Sequence, residues 1–115
     1  KEFSKDMKKS KWGRIVNIGS SSAYNGFKNS TAYCSSKHAL LGFSRALFSE
    51  LKDNNVRVYS ISPGSTQTKM GKLSKDQKFE TFLEPKEVAD YVAFVIEFDK
   101  QLISEEIRLN RMQIE

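Results

Sequence analysis

The amino-acid sequence predicts an open α/β sheet of parallel strands. Three observations lead there: short β-rich runs that end in turn residues, longer stretches whose apolar residues recur every three or four positions, and the alternation of the two along the chain. Residues 14–20, RIVNIGS, set Ile15, Val16 and Ile18 in an apolar run that stops at a Gly/Ser cluster, as a buried parallel strand does. Residues 19–31 are rich in Gly, Ser and Asn without a sustained period and read as a loop. A long helix is expected over residues 32–52, where Leu40, Leu41, Phe43, Leu47, Phe48 and Leu51 recur at helical spacing, and Asp53-Asn54-Asn55 supplies its stop. Residues 56–62, VRVYSIS, form a second strand that ends at Pro63-Gly64. A polar, Lys-rich connection runs to about Leu83. Pro85 then suits the first turn of a helix, whose apolar stripe is Val88, Tyr91, Val92, Val95 and Ile96 and which extends to about Phe98. Residues 106–109 close the pattern as a third strand. The order strand, helix, strand, helix, strand implies right-handed crossovers between parallel strands.

Length and composition narrow the function classes. The chain has 115 residues, 38% of them hydrophobic, which suits one domain or a piece of one. No apolar run approaches the roughly 20 residues that cross a bilayer, and the first residues, KEFSKDMKKSKW, lack the apolar core of a signal peptide, so the expected compartment is the cytoplasm with no membrane contact. One cysteine and one histidine build neither a disulfide framework nor a zinc site. The formal charge of +5 raises nucleic acid as a partner. Much of that excess, however, is Lys1, Lys5, Lys8, Lys9, Lys11 and Arg14, spaced like the solvated face of a helix end and without aromatic stacking residues between them, so no nucleic-acid partner is expected.

Topology itself points to a site. In open parallel sheets ligands bind beyond the carboxyl ends of the strands, where each following helix also begins. Three polar features fall at that edge: Gly19-Ser20-Ser21-Ser22 after the first strand, Tyr33 and Lys37 in the first turns of the long helix, and Pro63 to Thr68 after the second strand. Tyr33 and Lys37 are four apart, so on a helix they lie within about 40° of each other. An ammonium beside the phenol favours the phenolate, which is what a tyrosine acting as a general acid and base needs. On its own the spacing fits an amphipathic helix with a partly buried tyrosine and a solvated lysine equally well. Cys34 and His38 share the same spacing and are the pattern of a thiolate–imidazole pair, but no third residue orients the imidazole, and ordinary helix packing is expected of both.

Three segments in order resolve the choice. GRIVNIGS, AYCSSKHALLGFSRALFSEL and VRVYSISPGSTQT together resemble the short-chain dehydrogenase/reductase family from about Gly13 to Thr68, and more loosely to the C-terminus. The separation 33 − 20 = 13 matches the family's serine-to-tyrosine spacing and selects Ser20 over Ser21 and Ser22. The resemblance implies the C-terminal part of a Rossmann-like, doubly wound, three-layer α/β/α sheet and an oxidoreductase that uses NAD or NADP. It implies Ser20, Tyr33 and Lys37 as catalytic residues acting on a secondary alcohol or carbonyl compound. Tyr33 and Lys37 would also meet the cofactor, with Pro63, Gly64, Thr66 and Thr68 holding its carboxamide end. Thr66 stands where the family more often has Val or Ile, a small departure because the implied contact is through the backbone. Tyr24, Met70, Phe79 and Phe82 are candidate walls of the substrate pocket, and Asn17 reads as structural.

The resemblance also implies what is not found. The glycines at 13, 19, 26, 42, 64 and 71 contain no Gly-x-Gly cradle for a pyrophosphate, so the family's N-terminal nucleotide-binding half is expected to be absent and residues 1–115 to form a single partial domain. The first strand would then expose a hydrophobic edge, and association or marginal stability follows. The helix over 32–52 is expected to make a homo-oligomer contact through its Phe43, Ala46 and Leu47 side. Two other readings remain at this point: a truncated or regulatory chain that works only through subunit contacts, and a sugar-nucleotide epimerase or dehydratase, which also uses Tyr-x-x-x-Lys but usually carries a larger C-terminal domain.

Overall fold

The structure is a computed structural model and describes residues 2–20, 31–67 and 79–112. Helix α1 (Glu2–Ser10) leads into strand β1 (Gly13–Ile18), helix α2 (Thr31–Leu51) crosses to β2 (Val56–Pro63), and helix α3 (Pro85–Ile96) crosses to β3 (Glu106–Leu109). All three strands are parallel in the order β1-β2-β3, with Ile15 opposite Val58 and Ile61 opposite Ile107. The predicted α/β sheet is therefore present, each predicted strand in its place.

Strand β2 is central, and its sequence shows it. Seven consecutive residues, Val56 to Ser62, are buried, because alternate side chains meet different layers. Val56 and Val58 pack with Leu47, Phe48 and Leu51 of α2 and with Met7 of α1, on the side that Ile15 also faces. Tyr59 and Ile61 pack with Val92, Val95 and Ile96 of α3, with Val16 and Ile107 beside them. Helices thus cover both faces of the sheet, and the three layers follow from a period of two along one strand. Gly13 opens β1 where α1 returns against it: a side chain there would meet the Met7 sulfur at 2.5 Å.

The elements differ from expectation at their ends. Helix α2 starts at Thr31 and closes at Leu51 into a single 3-10 turn (Lys52–Asn54), capped by Asn55 in the left-handed region at φ 57 with its N–H on the Lys52 carbonyl. The Lys-rich N-terminus is helical, as its resemblance to a helix tail implied. In α3 the expected stripe holds at Val92, Val95 and Ile96, but Tyr91 is 44% exposed and continues into an outward aromatic row with Phe94 and Phe98.

Two arginines tie the sheet to the segment after α3. Arg14 donates to the carbonyls of Ile96 and Gly13 and pairs with Asp99 at 2.5 Å, its guanidinium stacked on Trp12. Arg57 donates to the carbonyls of Leu102 and Lys100. Strand β1 is the outer strand of the described sheet. Residues 14–17 are half-buried where Val56 to Ser62 of β2 are fully buried, and Ile18 is 51% exposed.

Candidate active site

The carboxyl edge of the sheet is built by three chain segments. Past β1 the ladder continues for one bond, Gly19 N–H to the Ile61 carbonyl at 2.7 Å, which sets Gly19 beside Ser62 and brings half-buried Ser20 level with the end of β2. Helix α2 runs back along the sheet: its last residue, Leu51, packs with Val56 at the amino end of β2, so its first turns stand at the carboxyl edge. Those turns carry Tyr33, 41% exposed, and half-buried Lys37, whose Nζ lies 5.5 Å from the Tyr33 ring centroid. The four-residue spacing therefore does bring the ammonium to the phenol, within the reach of a cation–π contact.

The third segment follows β2. Pro63 ends the strand, and the Gly64 N–H bonds the Leu109 carbonyl at 2.8 Å, anchoring the turn to β3. The Thr66 hydroxyl donates to the Gly64 carbonyl at 3.0 Å. Thr66 itself forms a parallel bridge with Leu83, made by Gln67 N–H to Leu83 carbonyl and Leu83 N–H to Ser65 carbonyl. In a parallel bridge the flanking groups are consumed and the central residue's own N–H and C=O point the opposite way. Thr66 consequently presents one backbone donor and one backbone acceptor, as a pair, on the side away from Leu83. Thr68, expected to contribute its hydroxyl, lies outside the described residues, as do Ser21, Ser22, Tyr24 and Met70.

The competing pair on α2 takes the ordinary form. His38 Nδ1 lies 2.7 Å from the Cys34 carbonyl oxygen, so Nδ1 carries the proton and donates to backbone, while Cys34 is buried. Phe82 is buried against Phe79, with the Arg111 guanidinium over its ring at 4.9 Å and on the Thr81 hydroxyl at 3.1 Å. This knot closes one wall of a cavity of about 640 Å³ between the carboxyl end of β3 and the start of α3, lined also by Glu84, Tyr91 and Met112. Ser20, Tyr33 and Lys37 do not line it. Among the described residues the Asn17 amide nitrogen is buried without a partner, as is the Ser62 hydroxyl, both on the α2 side of the sheet near this edge. Neither Arg111 nor the Thr66–Leu83 bridge was evident in the sequence, since neither leaves a periodic trace.

The family profile described as short chain dehydrogenase matches residues 1–78. Among curated proteins, the chain is 36% identical over 114 residues to the 3-oxoacyl-[acyl-carrier-protein] reductase FabG of Aquifex aeolicus, covering 90% of this chain and 46% of the reductase. Among solved structures, it is similar to a 4-hydroxyisoleucine dehydrogenase complexed with NADH, at TM-score 0.78 and 31% identity over 95% of this chain and 50% of the other. A similar match is ElxO with NADP bound, at TM-score 0.78 and 26% identity over 92% of this chain and 48% of the other. The chain spans about half the length of the relatives it matches.

Proposed function

The chain belongs to the short-chain dehydrogenase family, and from that premise we propose that it carries the catalytic residues of a nicotinamide-dependent oxidoreductase acting on a secondary alcohol or carbonyl compound. The observation that carries the reading is the Lys37 ammonium set 5.5 Å from the Tyr33 ring in the first turns of α2, at the sheet edge where Ser20 also emerges. The donor set suits NAD or NADP, in line with the NADP bound to ElxO and the NADH bound to the 4-hydroxyisoleucine dehydrogenase. The outward N–H and C=O of Thr66 match the acceptor and donor of a carboxamide, Lys37 and Tyr33 are donors for ribose hydroxyls, and Pro63 and Gly64 form the turn beside them; the Thr68 hydroxyl is proposed as a further partner of the carboxamide. The chemistry that such a cofactor supplies when bound is hydride exchange at the substrate carbon.

The residues of this chain handle the proton and the position. The Ser20 hydroxyl donates to the substrate oxygen and fixes it before Tyr33. In the reducing direction the Tyr33 hydroxyl gives its proton to that oxygen as negative charge builds there, and in the oxidising direction the phenolate takes it back. Lys37 sets its ammonium beside the Tyr33 ring, where its charge and its N–H donors meet both the phenol and a ribose hydroxyl. The exposed side of Tyr33 leaves a path by which the proton returns to solvent.

The test is a fluorescence titration, with NADH and with NADPH, of the full-length protein, any segment that precedes Lys1 included. Saturable binding of at least one is expected, and Lys37→Met is expected to weaken it by about tenfold, roughly one charge-assisted contact. Failure of both cofactors to bind would sink the proposal. A homo-oligomer contact is proposed on the outer side of α2, where Phe43 is 57% exposed and Ala46 is exposed, whereas Leu47 is turned to the core. Phe43→Asp is expected to reduce the mass seen in sedimentation, and an unchanged mass excludes that face.

A further inference from the structure

At the opposite, amino-terminal edge of the sheet, a cavity of about 370 Å³ opens between the turn after α2 and the segment after α3. Its wall carries three cations, Lys52, Arg57 and Lys100, and one carboxylate, Asp53. Arg57 is 8% exposed, and its guanidinium is held by two neutral acceptors, the Leu102 and Lys100 carbonyls. Among the described residues it has no ion pair, and neither have Lys52, Lys100 and Asp53.

Two other arginines, Arg14 of β1 and Arg45 of α2, set the contrast. Arg14 holds the same post-α3 segment through the same kind of carbonyl contact, and there Asp99 neutralises its charge. Arg45 on α2 is engaged by both carboxylate oxygens of Glu106. A buried charge without a counter-ion is costly, and carbonyl dipoles orient a guanidinium without neutralising it. Two of its five N–H groups are used by those carbonyls, which leaves donors for a further acceptor.

We infer that this cavity is a binding site for a small organic anion, a carboxylate or phosphate monoester carrying a short apolar body. The charge balance of the wall, three cations against one carboxylate, favours the anionic head. Phe48 and Ile103 give the body an apolar surface. The volume suits a molecule of roughly ten to fifteen heavy atoms, well below a dinucleotide, so the site is separate from the cofactor edge and does not depend on the reading of Tyr33 and Lys37.

The test is an NMR titration of the protein with hexanoate and, separately, phenyl phosphate, each against sodium chloride at matched ionic strength. Saturable shifts confined to residues around Arg57 and Ile103 are expected from at least one probe, and the probe that saturates identifies the head group. Lys52 and Lys100 are exposed, so the K52A/K100A double variant should fold as the parent does and bind that probe about fivefold more weakly. Arg57→Gln is expected to abolish saturation; should it fail to fold, the double variant decides. The inference is overturned if neither probe saturates, if chloride produces the same shifts, or if the double variant binds as tightly as the parent.

Discussion

Tyr33→Phe is expected to lower kcat by about 10³-fold, within the range spanned by positioned general acids and bases, while leaving cofactor affinity and thermal unfolding close to those of the parent. The substitution removes one oxygen from a side chain that is 41% exposed, so it creates no cavity and strands no buried partner. The ring over which Lys37 sits is retained, and with it the packing of the helix start. Only the hydroxyl proposed to exchange a proton with the substrate oxygen is lost. The measurement is steady-state consumption of NAD(P)H against a panel of ketones, with a parallel cofactor titration and a melting curve. A loss below tenfold with intact binding means that another group, or water, moves the proton and that Tyr33 is scaffold. Ser20→Ala is a graded companion: loss of one donor to a developing oxyanion costs roughly 10²-fold or more, and because Ser20 does not itself transfer the proton, its loss should fall short of that of Tyr33→Phe.

Much of this fold was legible because its signals are local. The run Val56 to Ser62 announces a strand buried on both faces, since no alternation of apolar and polar residues is needed where both layers are protein. Helical spacing in α2 placed Leu41, Leu47 and Leu51 inward and carried Tyr33 and Lys37 to one side of the same cylinder. The Pro63-Gly64 turn marked the end of β2 to within a residue. Three features were not legible, each for a physical reason. Arg14 reads as part of a solvated face and Arg57 only as one residue of a strand, yet each reaches a carbonyl far along the chain, separated by 82 and 45 residues, and such contacts obey no period. The Thr66–Leu83 bridge sets the orientation of the loop amides and depends on two segments that meet only in the folded state. Helical spacing sets Tyr91 in the inner stripe, but the part of α3 that packs on the core is Val92, Val95 and Ile96, and Tyr91 faces outward beside Phe94.

Ile61→Ala is expected to be among the most destabilising single substitutions in the chain, at about 3 kcal/mol. Ile61 is 0% exposed, lies in the central strand with Ile18 paired on one side and Ile107 on the other, and packs with Tyr59, Val95 and Ile107. Its removal leaves a hole in a layer whose backbone is fixed by two ladders, so the neighbours cannot collapse into it and both the transfer and the cavity costs apply. At roughly 4 °C per kcal/mol for a chain of this size, the melting midpoint should fall by about 12 °C. The control is Ile18→Ala, the same chemical change at the paired position one strand away. There the side chain is 51% exposed at the outer strand, and the expected cost is below about 1 kcal/mol. The ratio of the two losses, read by urea titration at constant slope, measures how much of the stability resides in β2 rather than in β1. Equal losses contradict the layered core, because they require Ile18 to be as well packed as Ile61. A large difference places the stabilising contacts on β2, the strand that both helical layers pack against.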